Sequence, residues 1–166
     1  MFDHNKFLSI KAMLFDVDGV FTNNEILVME SGDLVRTMNT RDGQAIKIAL
    51  EQGFIIGIIT KGVSKGVRNR FELLGITEIH DGVKDKMEAF RALVLKHQLK
   101  TEEILYMGDD IPDLIVFDHV GIACCPNDAA NDILVKAEYV SHLKGGYGCV
   151  REIVERVLRA QGKWII

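Results

Sequence analysis

Ala12-Met13-Leu14-Phe15-Asp16-Val17-Asp18-Gly19 is an unbroken apolar run that stops at two carboxylates and a glycine. Four apolar residues in a row, without alternation, are the pattern of a strand covered on both faces, as in a parallel sheet. Three further runs read the same way: Ile55-Ile56-Gly57-Ile58-Ile59, Ile104-Leu105-Tyr106-Met107 and Val120-Gly121-Ile122-Ala123. Between them lie stretches of helical spacing, Gln44 to Glu51 ending at Gly53, Val63 to Leu74 ending at Gly75, Lys86 to His97, and Asp110 to Phe117; Val150 to Ala160 reads as a final helix. Alternating strand and helix predict an α/β fold, a doubly wound, Rossmann-like parallel sheet with helices on both faces. Such sheets bind ligands at the carboxyl ends of their strands, where Asp16 and Asp18 fall.

One segment breaks the alternation. Glu25 to Met29 and Leu34 to Met38 flank Ser31-Gly32-Asp33 and predict a β-hairpin inserted after the first strand, over residues 24–39. An isolated ribbon is marginal in water, so its apolar side chains predict packing against the body or another subunit. Ile76, Ile79 and Tyr139-Val140 mark further short strands.

With 166 residues, 48% hydrophobic and 27% charged, the chain is expected to fold as one domain, residues 7–166, with a tail over 160–166. The net charge of −4 argues against nucleic acid or an anionic membrane as partner. No apolar run approaches a membrane span, and Met1-Phe2-Asp3-His4-Asn5-Lys6 lacks the order of a signal peptide, which predicts a soluble, cytoplasmic protein. Cys124, Cys125 and Cys149 have no metal spacing and read as buried thiols. His80, His97, His119 and His142 show no metal-ligating spacing either.

Burying Asp16 and Asp18 together is costly unless a cation offsets the charge, and Mg²⁺ is the natural hard partner for carboxylates. An Asp in that position can attack phosphorus while the second passes a proton to the leaving oxygen. An acidic turn after a strand is the plainer reading of this motif alone. Gly108-Asp109-Asp110-Ile111-Pro112-Asp113 brings a second acidic cluster to the end of the third run. Asp109 suits a metal ligand, and Asp110 and Asp113 suit bound water or support behind the ligands, with helix capping as the rival account. Thr60-Lys61-Gly62 ends the second run as an anion cradle, and Lys86, or its neighbour Lys84, supplies a fixed positive charge for a phosphoryl group.

Taken in chain order, Asp16-x-Asp18, Thr60, Lys86 and Gly108-Asp109-Asp110-x-x-Asp113 resemble the four motifs of the haloacid dehalogenase (HAD) superfamily. The resemblance implies a nucleophile at Asp16, a general acid/base at Asp18, phosphate binding by Thr60 and Lys86, and Mg²⁺ held by Asp16, Asp109 and the Asp18 carbonyl. Asp16-Val17-Asp18-Gly19-Val20-Phe21-Thr22, Asn39-x-Arg41-Asp42-Gly43 and Gly145-Gly146-x-Gly148-x-Val150-Arg151-Glu152 further resemble the capless 3-deoxy-D-manno-octulosonate (KDO) 8-phosphate phosphatases of lipopolysaccharide biosynthesis. That family implies a homotetramer built on the hairpin, a site closed by a neighbouring subunit and its tail, and a substrate end near Arg41, Asp42, Lys61 and Tyr147.

Two positions depart from the family. Lys61-Gly62 replaces Gly-Arg, and a point-charge ammonium does not reproduce a planar fork. Tyr147 stands where a basic residue is usual. The expected reaction is hydrolysis of KDO 8-phosphate to KDO and phosphate through an aspartyl-phosphate. The alternatives are a phosphatase for KDN 9-phosphate or N-acetylneuraminate 9-phosphate, or a non-catalytic phosphosugar-binding homologue, against which the complete acidic motifs argue.

Overall fold

The computed structural model describes residues 2–164. In chain order the strands are β1 (Ala12–Phe15), β2 (Leu27–Val28), β3 (Leu34–Val35), β4 (Ile55–Ile59), β5 (Glu78–His80), β6 (Ile104–Met107), β7 (Ile122–Cys125) and β8 (Tyr139–Val140). The α-helices are α1 (Thr40–Glu51), α2 (Lys65–Leu74), α3 (Lys86–His97), α4 (Leu114–Phe117), α5 (Asn131–Lys136) and α6 (Cys149–Ala160). Six strands form one parallel sheet in the order β5-β4-β1-β6-β7-β8, and β2 and β3 pair separately as the antiparallel hairpin. The chain winds outward from β1 in one direction and from β6 in the other, so the switch point lies between them.

Successive strand residues point to opposite faces. Met13, Phe15, Ile56, Ile58, Leu105 and Met107 join a core with residues of α1, α2 and α6, whereas Ala12, Leu14, Ile59, Ile104 and Tyr106 join a second core with residues of α3, α4 and α5. Cys124 and Cys149 fall in the first and Cys125 in the second, all three as buried free thiols. Helix starts are written locally. Asn39 accepts from the Arg41 N–H, Ser64 from the Val67 N–H and Asp85 from the Met87 N–H.

The strands β1, β4 and β6 and helix α3 coincide with their predicted bounds. The fourth predicted run is shifted by two residues, because the buried stretch continues through Cys124 and Cys125, small thiols that pack as apolar residues. The predicted helix from Asp110 begins as a 3-10 turn, Ile111–Asp113, with Pro112 in its first turn, before α4. The six-residue α5 went unforeseen, being too short for periodicity to reveal. Hairpin strands are two residues long, and Leu27, Val28, Leu34 and Val35 all face outward.

A 3-10 turn, His4–Ser9, precedes β1 and sends Phe7 into the first core. Of the predicted tail, residues 165–166 lie outside the described residues. The Trp164 ring packs between Arg151 and Arg159, whose guanidinium carbons are 5.1 and 5.7 Å from its centroid. Among the described residues, no helix is long and apolar enough to cross a membrane.

Candidate active site

Register sets the site. Phe15, the last residue of β1, lies opposite Ile58 of β4 and Met107 of β6, so the residues just beyond these strands converge on one sheet edge. The Asp16 N–H continues the ladder to the Met107 carbonyl at 3.0 Å, and the Thr60 N–H donates to the His80 carbonyl at 2.9 Å. A cleft of about 150 Å³ opens there, lined by Asp16, Asp18, Asn24, Thr60, Lys61, Gly62, Lys86, Asp109, Asp110 and Pro112.

Asp16, Asp109 and Asp113 are buried, and each offers a carboxylate oxygen within 4.8 Å of the others. Their close approach needs a glycine opposite: Gly19 has φ +77°, and a Cβ there would come within 1.9 Å of Asp109 Oδ2. Burial, then the charge of Asp113, pushes Asp16 up to about 6 despite its contact with Lys86. Burial likewise raises Asp109 to about 7, opposed by the Asn24 amide and reinforced by Asp16 and Asp113. Carboxylates so crowded and desolvated form a hard oxygen set that fits a divalent cation.

Lys86, on the first turn of α3, is 2% exposed and reaches Asp16 Oδ2 and Asp113 Oδ1, each at 2.6 Å. Burial disfavours its ammonium, but the charges of Asp16 and Asp113 outweigh that and hold its pKa above the usual value. Lys84 is exposed, and it is Lys86 that enters the cleft. Asp113 is fully buried and saturated: Tyr106 donates to Oδ1 at 2.5 Å, and the N–H groups of Asp109 and Asp110 donate to Oδ2 at 3.1 and 3.2 Å. It therefore both caps the following turn and braces the acidic strand end. Asp110 is exposed at the cleft rim. Thr60 is buried, and its Oγ1 accepts from the Gly62 N–H at 3.2 Å.

Arg41, Asp42 and Tyr147 stand apart from this cleft within the single chain. Arg41 and Tyr147 line a separate groove with the exposed side of α6. Asp42 is wholly buried, and its Oδ1 accepts from the Arg151 N–H at 2.7 Å, capping α6 from α1. The Gly145-Gly146 tail packs on the loop after Asp18, with the Gly146 N–H donating to the Val20 carbonyl at 2.9 Å.

Two polar residues at the site were not singled out from sequence. Asn24, at φ +64°, donates from Nδ2 to Asp109 Oδ2 at 2.7 Å. Arg36, next after β3, forks onto Asp18 at 2.6 and 3.1 Å. A lone charged residue in the hairpin's apolar second strand was the only signal for Arg36, and a left-handed Asn leaves none.

Acidic strand ends at the switch point of such a sheet, with Thr60 and Lys86 beside them, define a hydrolase of the HAD superfamily. A solved structure from Legionella pneumophila, described as a HAD superfamily (subfamily III A) hydrolase, superposes with a TM-score of 0.94 at 32% identity, covering 96% of this chain and 88% of that one. Among curated relatives, the 3-deoxy-D-manno-octulosonate 8-phosphate phosphatase KdsC of Salmonella typhi is 36% identical over 155 residues, 93% of this chain and 82% of its own length. The chain belongs to that family of phosphoric monoester hydrolases. The Moraxella catarrhalis member, crystallised with magnesium, phosphate and KDO, superposes with a TM-score of 0.93 at 30% identity, covering 97% of this chain and 92% of that one. No protein-family model matches the chain.

Proposed function

We propose that this chain is a Mg²⁺-dependent phosphatase that hydrolyses KDO 8-phosphate to KDO and phosphate through an aspartyl-phosphate on Asp16. The observation that carries the reading is the buried group of Asp16, Asp109 and Asp113 at the sheet's switch point, with Lys86 on Asp16 and Asp113. An Asp16 carboxylate oxygen bonds to phosphorus as the ester P–O bond breaks, and Asp18 gives the departing sugar alkoxide a proton. Asp18 then takes a proton from water, whose oxygen attacks phosphorus and releases inorganic phosphate from Asp16. Thr60 and Lys86 hold the phosphoryl oxygens throughout. Asp16, Asp109 and the Asp18 carbonyl would hold Mg²⁺, which supplies charge neutralisation on the transferring group.

The substrate end includes Lys61 at the cleft mouth, with Arg41 and Tyr147 contributing from the groove side and Asp42 buried behind them, where it caps α6 through the Arg151 N–H. The outward apolar face of the hairpin supports a homotetramer in which a neighbouring subunit closes the site. The reaction is a cytoplasmic one.

The test is phosphate release, with and without Mg²⁺, from KDO 8-phosphate, KDN 9-phosphate, N-acetylneuraminate 9-phosphate and hexose phosphates. The highest kcat/KM is expected on the eight-carbon acid, with chelation abolishing turnover. A preference for a nine-carbon acid moves the substrate and keeps the chemistry. Absence of release from every ester overturns the reading.

A further inference from the structure

The exposed hairpin sends one charged side chain back into the body. Arg36 donates from Nε to Asp18 Oδ1 at 2.6 Å, from Nη2 to Asp18 Oδ2 at 3.1 Å, and from Nη1 to the Leu34 carbonyl at 3.2 Å. Its side chain is only 6% exposed, whereas Leu34 and Val35 just before it are 48% and 44% exposed. An arginine is rarely buried without a partner. The nearby carboxylates are otherwise engaged, Asp81 by Arg68 at 2.5 and 3.0 Å and Asp16 by Lys86 at 2.6 Å. Among the described residues, Arg36 is the one side chain that bonds the Asp18 carboxylate. Without it, two free torsions would decide where the Asp18 oxygens point.

Resting on the phosphatase reading and on Asp18 as its proton carrier, we propose that Arg36 is the positioning residue of Asp18. Its planar fork fixes both carboxylate oxygens beside the ester, so the inserted hairpin contributes a working part of the site as well as an assembly surface. A proton carrier must stand within hydrogen-bond reach of the leaving oxygen, and small misplacements are costly. A two-point fork sets the plane of a carboxylate; a single ammonium does not.

The test compares wild type with Arg36→Ala and Arg36→Lys on three esters, read as kcat/KM, which reports the step in which the ester departs. KDO 8-phosphate and a hexose 6-phosphate release alkoxides that need a proton, while 4-nitrophenyl phosphate releases a stable phenolate. Arg36→Ala is expected to lose about 30-fold or more on both sugar esters but less than about 3-fold on the aryl ester, with Arg36→Lys recovering part of the loss. Sedimentation velocity checks that the variants assemble as wild type does; if Arg36→Ala does not fold, Arg36→Lys carries the same comparison. Equal loss on all three esters, or none, overturns the proposal. Loss confined to the sugar acid makes Arg36 a substrate-carboxylate contact and overturns it too. A wild type inactive on every ester removes the phosphatase reading itself, and the role of Arg36 with it.

Discussion

The Lys86 ammonium stands 2.6 Å from Asp16 Oδ2, so the cation proposed for the phosphoryl group rests on the carboxylate proposed as nucleophile. The same ammonium neutralises Asp113, which is 0% exposed. Lys86→Met keeps the length and removes the charge. Turnover is expected to fall about 100-fold or more, as when a transition-state donor is lost. Stability at pH 7 should fall by about 3 kcal/mol, because two buried carboxylates lose their counter-charge. Steady-state kinetics and urea unfolding read the two effects, and wild-type turnover in this variant would sink the phosphate-binding role of Lys86.

Asp16→Asn keeps the size of the side chain and removes the carboxylate proposed as the nucleophile. Activity is expected to drop by about a thousandfold or more while the fold persists. Lys65→Ala, on the exposed start of α2, serves as the control and should change kcat/KM by less than about twofold. Substantial turnover by Asp16→Asn would remove the aspartyl-phosphate from the mechanism.

Asp42 offers a pH test away from the acidic cluster. Burial raises its pKa from 3.8 to about 6, and its Oδ2 is buried without a partner. Below pH 3.8 both folded and unfolded states are protonated there, so Asp42 costs nothing. As pH rises towards 6 the unfolded chain ionises first, and above 6 the penalty is complete, on the order of 3 kcal/mol. Asp42→Asn does not titrate and retains an acceptor for the Arg151 N–H. The Tm of Asp42→Asn minus that of wild type should therefore rise between pH 4 and 6.5. A flat difference would contradict the shift, and a collapse of kcat/KM in the folded variant would return Asp42 to the substrate end.

Both the parallel sheet and its acidic edge were legible because they rest on local signals. Buried strands print as apolar runs; Asp16 and Thr60 directly follow two of them, and Asp109 stands one glycine beyond a third. The choice of Lys86 over Lys84 was not legible from composition, since it depends on where α3 begins: Lys84 lies in the loop before the Asp85 cap, and Lys86, the first helical residue, meets Asp113. Asn24 and Arg36 were hidden for a related reason. Their partners lie 85 and 18 residues away in the chain, so only the folded loop and hairpin bring the pairs together. Asp42 and Arg151, 109 residues apart, are likewise joined only in the fold, by a helix cap that neither motif announces in sequence.

Exposed hairpin side chains give a test of assembly. Val28 is 71% exposed and its cross-strand partner Leu34 48%, an apolar face that one chain leaves uncovered. Val28→Asp should leave the monomer's stability within about 0.5 kcal/mol, as an exposed substitution does. It should dissociate the proposed homotetramer in sedimentation velocity and lower kcat/KM on the sugar acid. An assembled and fully active Val28→Asp would mean that this face is not the subunit interface.

Gly145 ties the tail to the loop that follows Asp18. A Cβ at this position would come within 1.9 Å of the Gly19 carbonyl oxygen and 3.0 Å of that of Thr22, both backbone atoms that can yield only by moving the loop. The same loop carries Asp18 and sets Gly19 against Asp109. Gly145→Ala is therefore expected to cost about 1–3 kcal/mol, as overpacking does, and to lower kcat more than the exposed Tyr147→Ala, where no backbone must move. If the loop shifts as a unit, Mg²⁺ titrations of Gly145→Ala should show weakened binding, because Asp109 and the Asp18 carbonyl separate. Unchanged Mg²⁺ affinity together with reduced stability would confine the effect of Gly145 to packing.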